Sequence, residues 1–172
     1  KNMILEKSLL DTLISCKKRV DKVEPREQKS QWNHKQQTIK ISWWGYFFEL
    51  YTRKNMDLLF NFSAWLLWKW PEWTVCLCRY NWNHWGHKNP DGQQVLGYHK
   101  HIYRIEDKEA WLNDDAYAEQ TDQYDSLEKA IYQLCIDYNI DYGDKLPYLP
   151  QKWTLFDFEG GNEWNNASWI SQ

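Results

Sequence analysis

No two of the four cysteines are spaced C-x-x-C. Cys16, Cys76, Cys78 and Cys135 form no zinc-finger pattern, and their simplest reading is reduced, buried thiols in a cytoplasmic protein. The N-terminus is a polar amphipathic segment, not a signal peptide. The longest apolar stretch, Phe60 to Trp70, is interrupted by Asn61, Ser63 and Lys69 and is too short and polar to span a membrane. Internal repeats and low-complexity tracts are absent too, which excludes solenoids and biased tails.

Aromatic residues are abundant instead. The 172 residues include 13 Trp and 11 Tyr. Mean hydropathy counts both types as polar, yet each ring buries about 150–250 Å². The composition therefore predicts one globular domain over residues 1–172 with an aromatic core, large enough to fold without staples. Some of the tryptophans are candidates for a surface that stacks bases or sugars, or that meets a partner protein. Charge is uneven along the chain. Residues 1–40 carry ten basic and five acidic side chains, residues 41–104 carry seven and four, and residues 105–172 carry four and fifteen. A basic front suits a polyanion, and an acidic back suits a basic groove on a protein partner.

Hydrophobic spacing predicts a helix over residues 2–20, with Lys17, Lys18 and Arg19 in the last turn where cations suit the helix dipole. Residues 21–37 read as a polar loop. Strands are expected at Thr38–Trp44, Tyr46–Tyr51, Met56–Phe62 and Trp73–Tyr80, with turns at Gly45 and Arg53–Asn55. In the last of these strands Cys76 and Cys78 are expected to share a face. Asn89-Pro90-Asp91-Gly92 is a turn signal, and a strand over Leu96–Ile105 should follow. Asp125 or Ser126 caps a helix over 126–139, and an aromatic tail occupies 146–172. The expected fold is α+β: an antiparallel sheet of about five strands with an N-terminal and a C-terminal helix packed on it.

Four of the five histidines fall between His84 and Arg104. His99 and His101 are two apart on a strand and face the same way, with Tyr103 continuing that face and Lys100 and Arg104 opposite. His84 and His87 are expected in the loop before it. Three chemistries fit this arrangement. Paired imidazoles can take one proton and give another, as RNA cleavage requires, with Arg79, Lys88, Lys100 or Arg104 stabilising phosphate. H-x-H with His87 can hold a divalent metal such as zinc. The third option is a structural hydrogen-bond network with no chemistry at all.

The run His87-Lys88-Asn89-Pro90-Asp91-Gly92, a spacer, then His99-Lys100-His101-Ile102-Tyr103-Arg104 and Trp111 resembles the signature of an uncharacterised prokaryotic domain family found in bacterial, prophage and other mobile-element genes. The resemblance covers about residues 38–142. It implies a small α+β domain of mobile-element or toxin–antitoxin type, without an established reaction. Ala110 precedes Trp111 where that family has Ala after Trp, and the Trp content is higher than expected of it.

The expected function is thus a mobile-element protein acting on RNA as a toxin-like endoribonuclease. His87, His99 and His101 would be its acid–base set, and Tyr103 and Arg104 would act on phosphate. Trp82 and Trp85 would stack a base, and Arg79, His84, Lys88, Asn89, Asp91 and Lys100 would complete the binding site. No cofactor is expected in this scheme. The alternatives are a non-enzymatic interaction protein, an anti-defence inhibitor or antitoxin-like partner binding through its acidic or Trp-rich surface, and a metal-dependent hydrolase with His87, His99 and His101 as ligands.

Overall fold

The computed structural model describes residues 4–25 and 33–150. The chain runs α1 (Lys7–Ser15), β1 (Lys18–Pro25), β2 (His34–Trp43), β3 (Tyr46–Asn55), β4 (Phe62–Trp70), β5 (Trp73–Lys88), β6 (Gln94–Ile102), α2 (Ile105–Glu109), β7 (Ala118–Gln120), α3 (Leu127–Asp137) and β8 (Ile140–Asp141). The described strands form one eight-stranded sheet in the order β7-β6-β5-β4-β3-β2-β1-β8. Every pairing is antiparallel except β1 with β8, which is parallel.

This mainly-β architecture corrects the expected five-stranded α+β fold. Three misreadings contribute to the difference, and the short strands β7 and β8 were not expected at all. The expected helix over 2–20 ends at Ser15, and the chain turns into β1. The sequence places Lys17-Lys18-Arg19 as cations on a helix C-terminus. Lys18 does meet helix C-termini, but from a strand. Its buried ammonium donates to the carbonyls of Ile14 at 3.0 Å and Cys16 at 3.1 Å at the end of α1, and of Tyr138 at 2.7 Å at the end of α3. Secondly, Arg53–Asn55 is not a turn but the end of β3, and the expected strand over Met56–Phe62 is mostly the exposed connection into β4. The strand lies at Phe62–Trp70, where alternate residues Phe62, Ala64, Leu66 and Trp68 are buried. Thirdly, residues 21–37 are not one loop. They contain parts of β1 and β2, with 26–32 outside the described residues.

Other expectations hold. Asn89–Gly92 is a turn: Asn89 N–H donates to Gln93 O, Gly92 N–H to Asn89 O, and Asp91 Oδ1 accepts from Gln93 N–H. Gly92 supplies φ +92°, a backbone that side chains resist. Ser126 caps α3 by accepting from Lys129 N–H at 3.3 Å. All four cysteines are free thiols, three of them buried and Cys76 half-buried. A bulge where β5 passes Leu66 and Leu67 breaks its alternation, so Leu77 and Cys78 both enter the core while Cys76 does not.

The core lies on one face of the sheet. Ile39, Ile41, Phe48, Leu50, Leu66 and Trp68 pack there with Leu10 and Leu13 of α1 and with Ala130, Ile131 and Leu134 of α3. The segment after β8 closes this layer with Tyr142, Leu146 and Leu149. The opposite face carries the histidines. No helix among the described residues is long and apolar enough to cross a membrane.

Candidate functional site

β5 is long, sixteen residues, and its register with β6 decides the site. Arg79 lies opposite His101 and Asn81 opposite His99. His87, expected in a loop, is in β5 itself and pairs with Val95 beyond a second bulge. The three imidazoles are thereby brought together. Ring centroids are 4.6 Å apart for His87 and His101, 5.0 Å for His99 and His101, and 6.1 Å for His87 and His99.

Two members of the cluster are closed to solvent, and His87 is half-buried. His99 and His101 are both 0% exposed, because the segment between α2 and β7 folds back over them. Two hydrogen bonds and an ion pair clamp that segment to the histidines and Arg79. His101 Nδ1 donates to Asp115 O at 2.7 Å, His87 Nε2 donates to Ala116 O at 2.9 Å, and Arg79 Nη1 lies 2.8 Å from Asp115 Oδ2. Asn89 adds a two-point clamp, donating to Ala118 O at 2.9 Å and accepting from Ala118 N–H at 2.8 Å.

These bonds decide the protonation states. A carbonyl only accepts, so His101 carries its proton on Nδ1. The Arg79 guanidinium only donates, and its Nη2 is 2.9 Å from His101 Nε2, so that nitrogen presents a lone pair. Burial first, then the Arg79 charge, press the His101 pKa down to about 2. His99 Nδ1 donates to Gly97 O at 2.8 Å, and burial lowers its pKa too. Its Nε2 is buried with no hydrogen-bond partner among the described residues. His101 is therefore a neutral imidazole with both nitrogens committed. It can neither take a proton near neutral pH nor offer a lone pair to a metal. Among the described residues no three His, Cys, Asp or Glu side chains are disposed to hold a metal ion.

The remaining candidates scatter. Tyr103 leaves the histidine face: it is in the core, and its hydroxyl accepts from Leu5 N–H at 3.1 Å. The strand ends at Ile102, so the alternation that would have kept Tyr103 beside His101 stops one residue short. Arg104 precedes α2, stacks 4.1 Å from the Tyr117 ring and lies 3.9 Å from Glu106 and Asp107. Lys88 and Asp91 are exposed. Trp82 is half-buried, edge-on to Phe60 at 4.5 Å. His84 and Trp85 belong to β5, but their side chains lie outside the described residues.

Lys100 is on the other side of the sheet, as its parity predicts. Its ammonium is 2.5 Å from Asp137 Oδ2 of α3 and 4.7 Å from the Tyr80 ring centroid. Asp137 also accepts from Tyr80 Oη and from Gln133 Nε2, so this network fastens α3 to β5 and β6. Asp115 and Asp137 were not singled out in the sequence. Only the long-range fold, 36 residues from Arg79 to Asp115 and 37 from Lys100 to Asp137, brings them into place.

The fold from α1 to the start of β8 is matched over residues 5–140 by a family of unknown function. The chain belongs to DUF6978. Neither the comparison with curated proteins nor that with solved structures gave a match. The DUF6978 match takes in both the histidine cluster and the Lys100–Asp137 network.

This DUF6978 domain has a second distinctive feature, at one end of its sheet. The β2–β3 and β4–β5 hairpins turn at the same end, with Trp43 opposite Tyr46 and Trp70 opposite Trp73. Trp44 at the first tip is 90% exposed, Phe47 61%, Trp70 44% and Trp73 39%. Trp44 has φ +42° and Gly45 φ +85°, the two positive values of a type I′ turn. Asn is the usual residue where Trp44 stands. Trp111, 80% exposed, also has a left-handed backbone, φ +61°.

Proposed function

We propose that this domain is a non-enzymatic interaction protein that binds a protein partner, antitoxin-like or anti-defence in kind, through exposed tryptophans. The carrying observation is that Trp44 and Trp111 combine the greatest exposure among the described apolar side chains with left-handed backbone. A left-handed non-glycine residue costs about 1–2 kcal/mol, and an exposed indole recovers nothing from the core. Strain of this kind without return inside the fold marks a functional position. Trp is also the residue type that concentrates binding energy at protein interfaces.

Charge favours a protein over a nucleic acid at the hairpin-tip end that carries Trp44. Lys40 and Lys69, which flank the hairpin tips, both pair with Glu49, and Glu72 sits in the second tip. A phosphate backbone would need cations free of such pairing. The endoribonuclease reading requires a titratable acid–base pair, and it gains no support from His99 and His101, which are buried with lowered pKa values.

Two assays on the purified chain test this. A mixed RNA pool incubated with and without EDTA should remain intact. A protein identified by mass spectrometry as copurifying from the producing cell should be released by the double substitution Trp44→Ser and Trp111→Ser and retained by Trp82→Phe. RNA cleavage that disappears with His87→Ala, or a partner held equally well by the double variant, would overturn the proposal.

A further inference from the structure

Between the far ends of β2 and β3, the Met56–Leu59 connection and the first turns of α3 lies a cavity of about 450 Å³. That is a common size for a small-molecule pocket. Its apolar wall is Met56, Leu59, Leu127 and Ile131, with Tyr148 alongside. Met56 and Leu59 are 44% and 56% exposed, so the cavity mouth is itself apolar.

The rim is cationic in a specific way. Lys35 and Lys54 both line the cavity and are direct cross-strand partners. Like charges directly opposite on a sheet repel. Lys54 is held by Glu128 at 2.9 Å, whereas Lys35 has no carboxylate within 4.0 Å among the described residues. Among the described residues lining the cavity, one acid thus answers two ammonium groups, leaving a net charge of +1 over an apolar pocket.

We infer that this pocket binds a small anionic amphiphile: one carboxylate or phosphate between Lys35 and Lys54, and an alkyl or aryl body against Met56, Leu59, Leu127 and Ile131. This site is separate from the aromatic end and from the histidine cluster, and its occupancy does not depend on the interaction reading.

The test is calorimetric titration of the full chain with octanoate, octyl phosphate, octanol and octylammonium. Octanoate or octyl phosphate should bind, and octylammonium should bind at least tenfold more weakly. Lys35→Glu should weaken the anion at least tenfold while the thermal midpoint stays unchanged, since Lys35 is exposed. Leu59→Trp, which fills the mouth from an exposed position, should abolish binding. No binding of either anion at millimolar concentration, equal binding of octylammonium, or full affinity in Lys35→Glu would each overturn the inference. A difference between octanoate and octyl phosphate would identify which anionic head the pocket takes.

Discussion

Acid should destabilise this protein through His101, by an amount that follows from its surroundings. The folded-state pKa is about 2, and an unfolded chain has a histidine pKa of about 6.5. The folded value is the lower one, so the unfolded state binds more protons. The stability that His101 contributes is complete above pH 6.5 and is lost as pH falls towards 2. Each unit below 6.5 removes about 1.4 kcal/mol, so moving from pH 7.5 to 4.5 removes about 3 kcal/mol. Against a total of about 5–15 kcal/mol for a domain, that is a large fraction. His99, lowered by the same burial, acts in the same direction. Carboxylates titrate in this range as well, so the informative quantity is a difference. Urea unfolding followed by tryptophan fluorescence would be measured for the wild type and for His101→Asn, whose side-chain amide cannot titrate. The wild-type curve should fall by about 3 kcal/mol more than the variant's between pH 7.5 and 4.5. Parallel pH dependences would refute the claim that burial and the Arg79 charge hold His101 neutral.

Three further outcomes follow from individual contacts. Asn89→Ala removes both bonds to the Ala118 backbone at a buried position and should cost about 2–4 kcal/mol, measured by denaturant unfolding, with faster amide exchange over residues 114–118. Lys18→Met leaves three carbonyls at the ends of α1 and α3, two in buried bonds and one part-buried, without their donor and should cost about 2–4 kcal/mol by the same assay. Trp44→Asn places the preferred residue in the left-handed position and should raise the thermal midpoint, by the equivalent of about 0.5–1 kcal/mol, while weakening partner binding. A lower midpoint in Trp44→Asn would mean that the indole stabilises the fold.

The parts of the fold that were legible in the sequence are those governed by local chemistry. Asn89–Gly92 carries its own turn residues, Ser126 sits one residue before the apolar stripe it caps, and two-residue spacing puts His99 and His101 on one face. The misread parts depend on distant partners. β1 looks helical because Lys18 suits a helix end, yet it is a strand because Val20 and Val23 pair with Ile41 and Ile39. β4 looks like an undifferentiated apolar run because Trp65 and Leu67, on the face away from the core, are themselves half-buried. The site divides in the same way. Convergence of His87, His99 and His101 could be anticipated from strand parity and the turn. The burial of His99 and His101 could not, because it requires residues 114–118 to fold back across β5 and β6.

Imidazole nitrogen shifts, read by two-dimensional NMR on ¹⁵N-histidine-labelled protein across pH 8 to 5, test the central claim most directly. His101 should remain a neutral Nδ1–H tautomer throughout, with no inflection. A His101 titration centred near pH 6.5 would mean that this imidazole exchanges protons with solvent, and the cluster would then be an acid–base site after all.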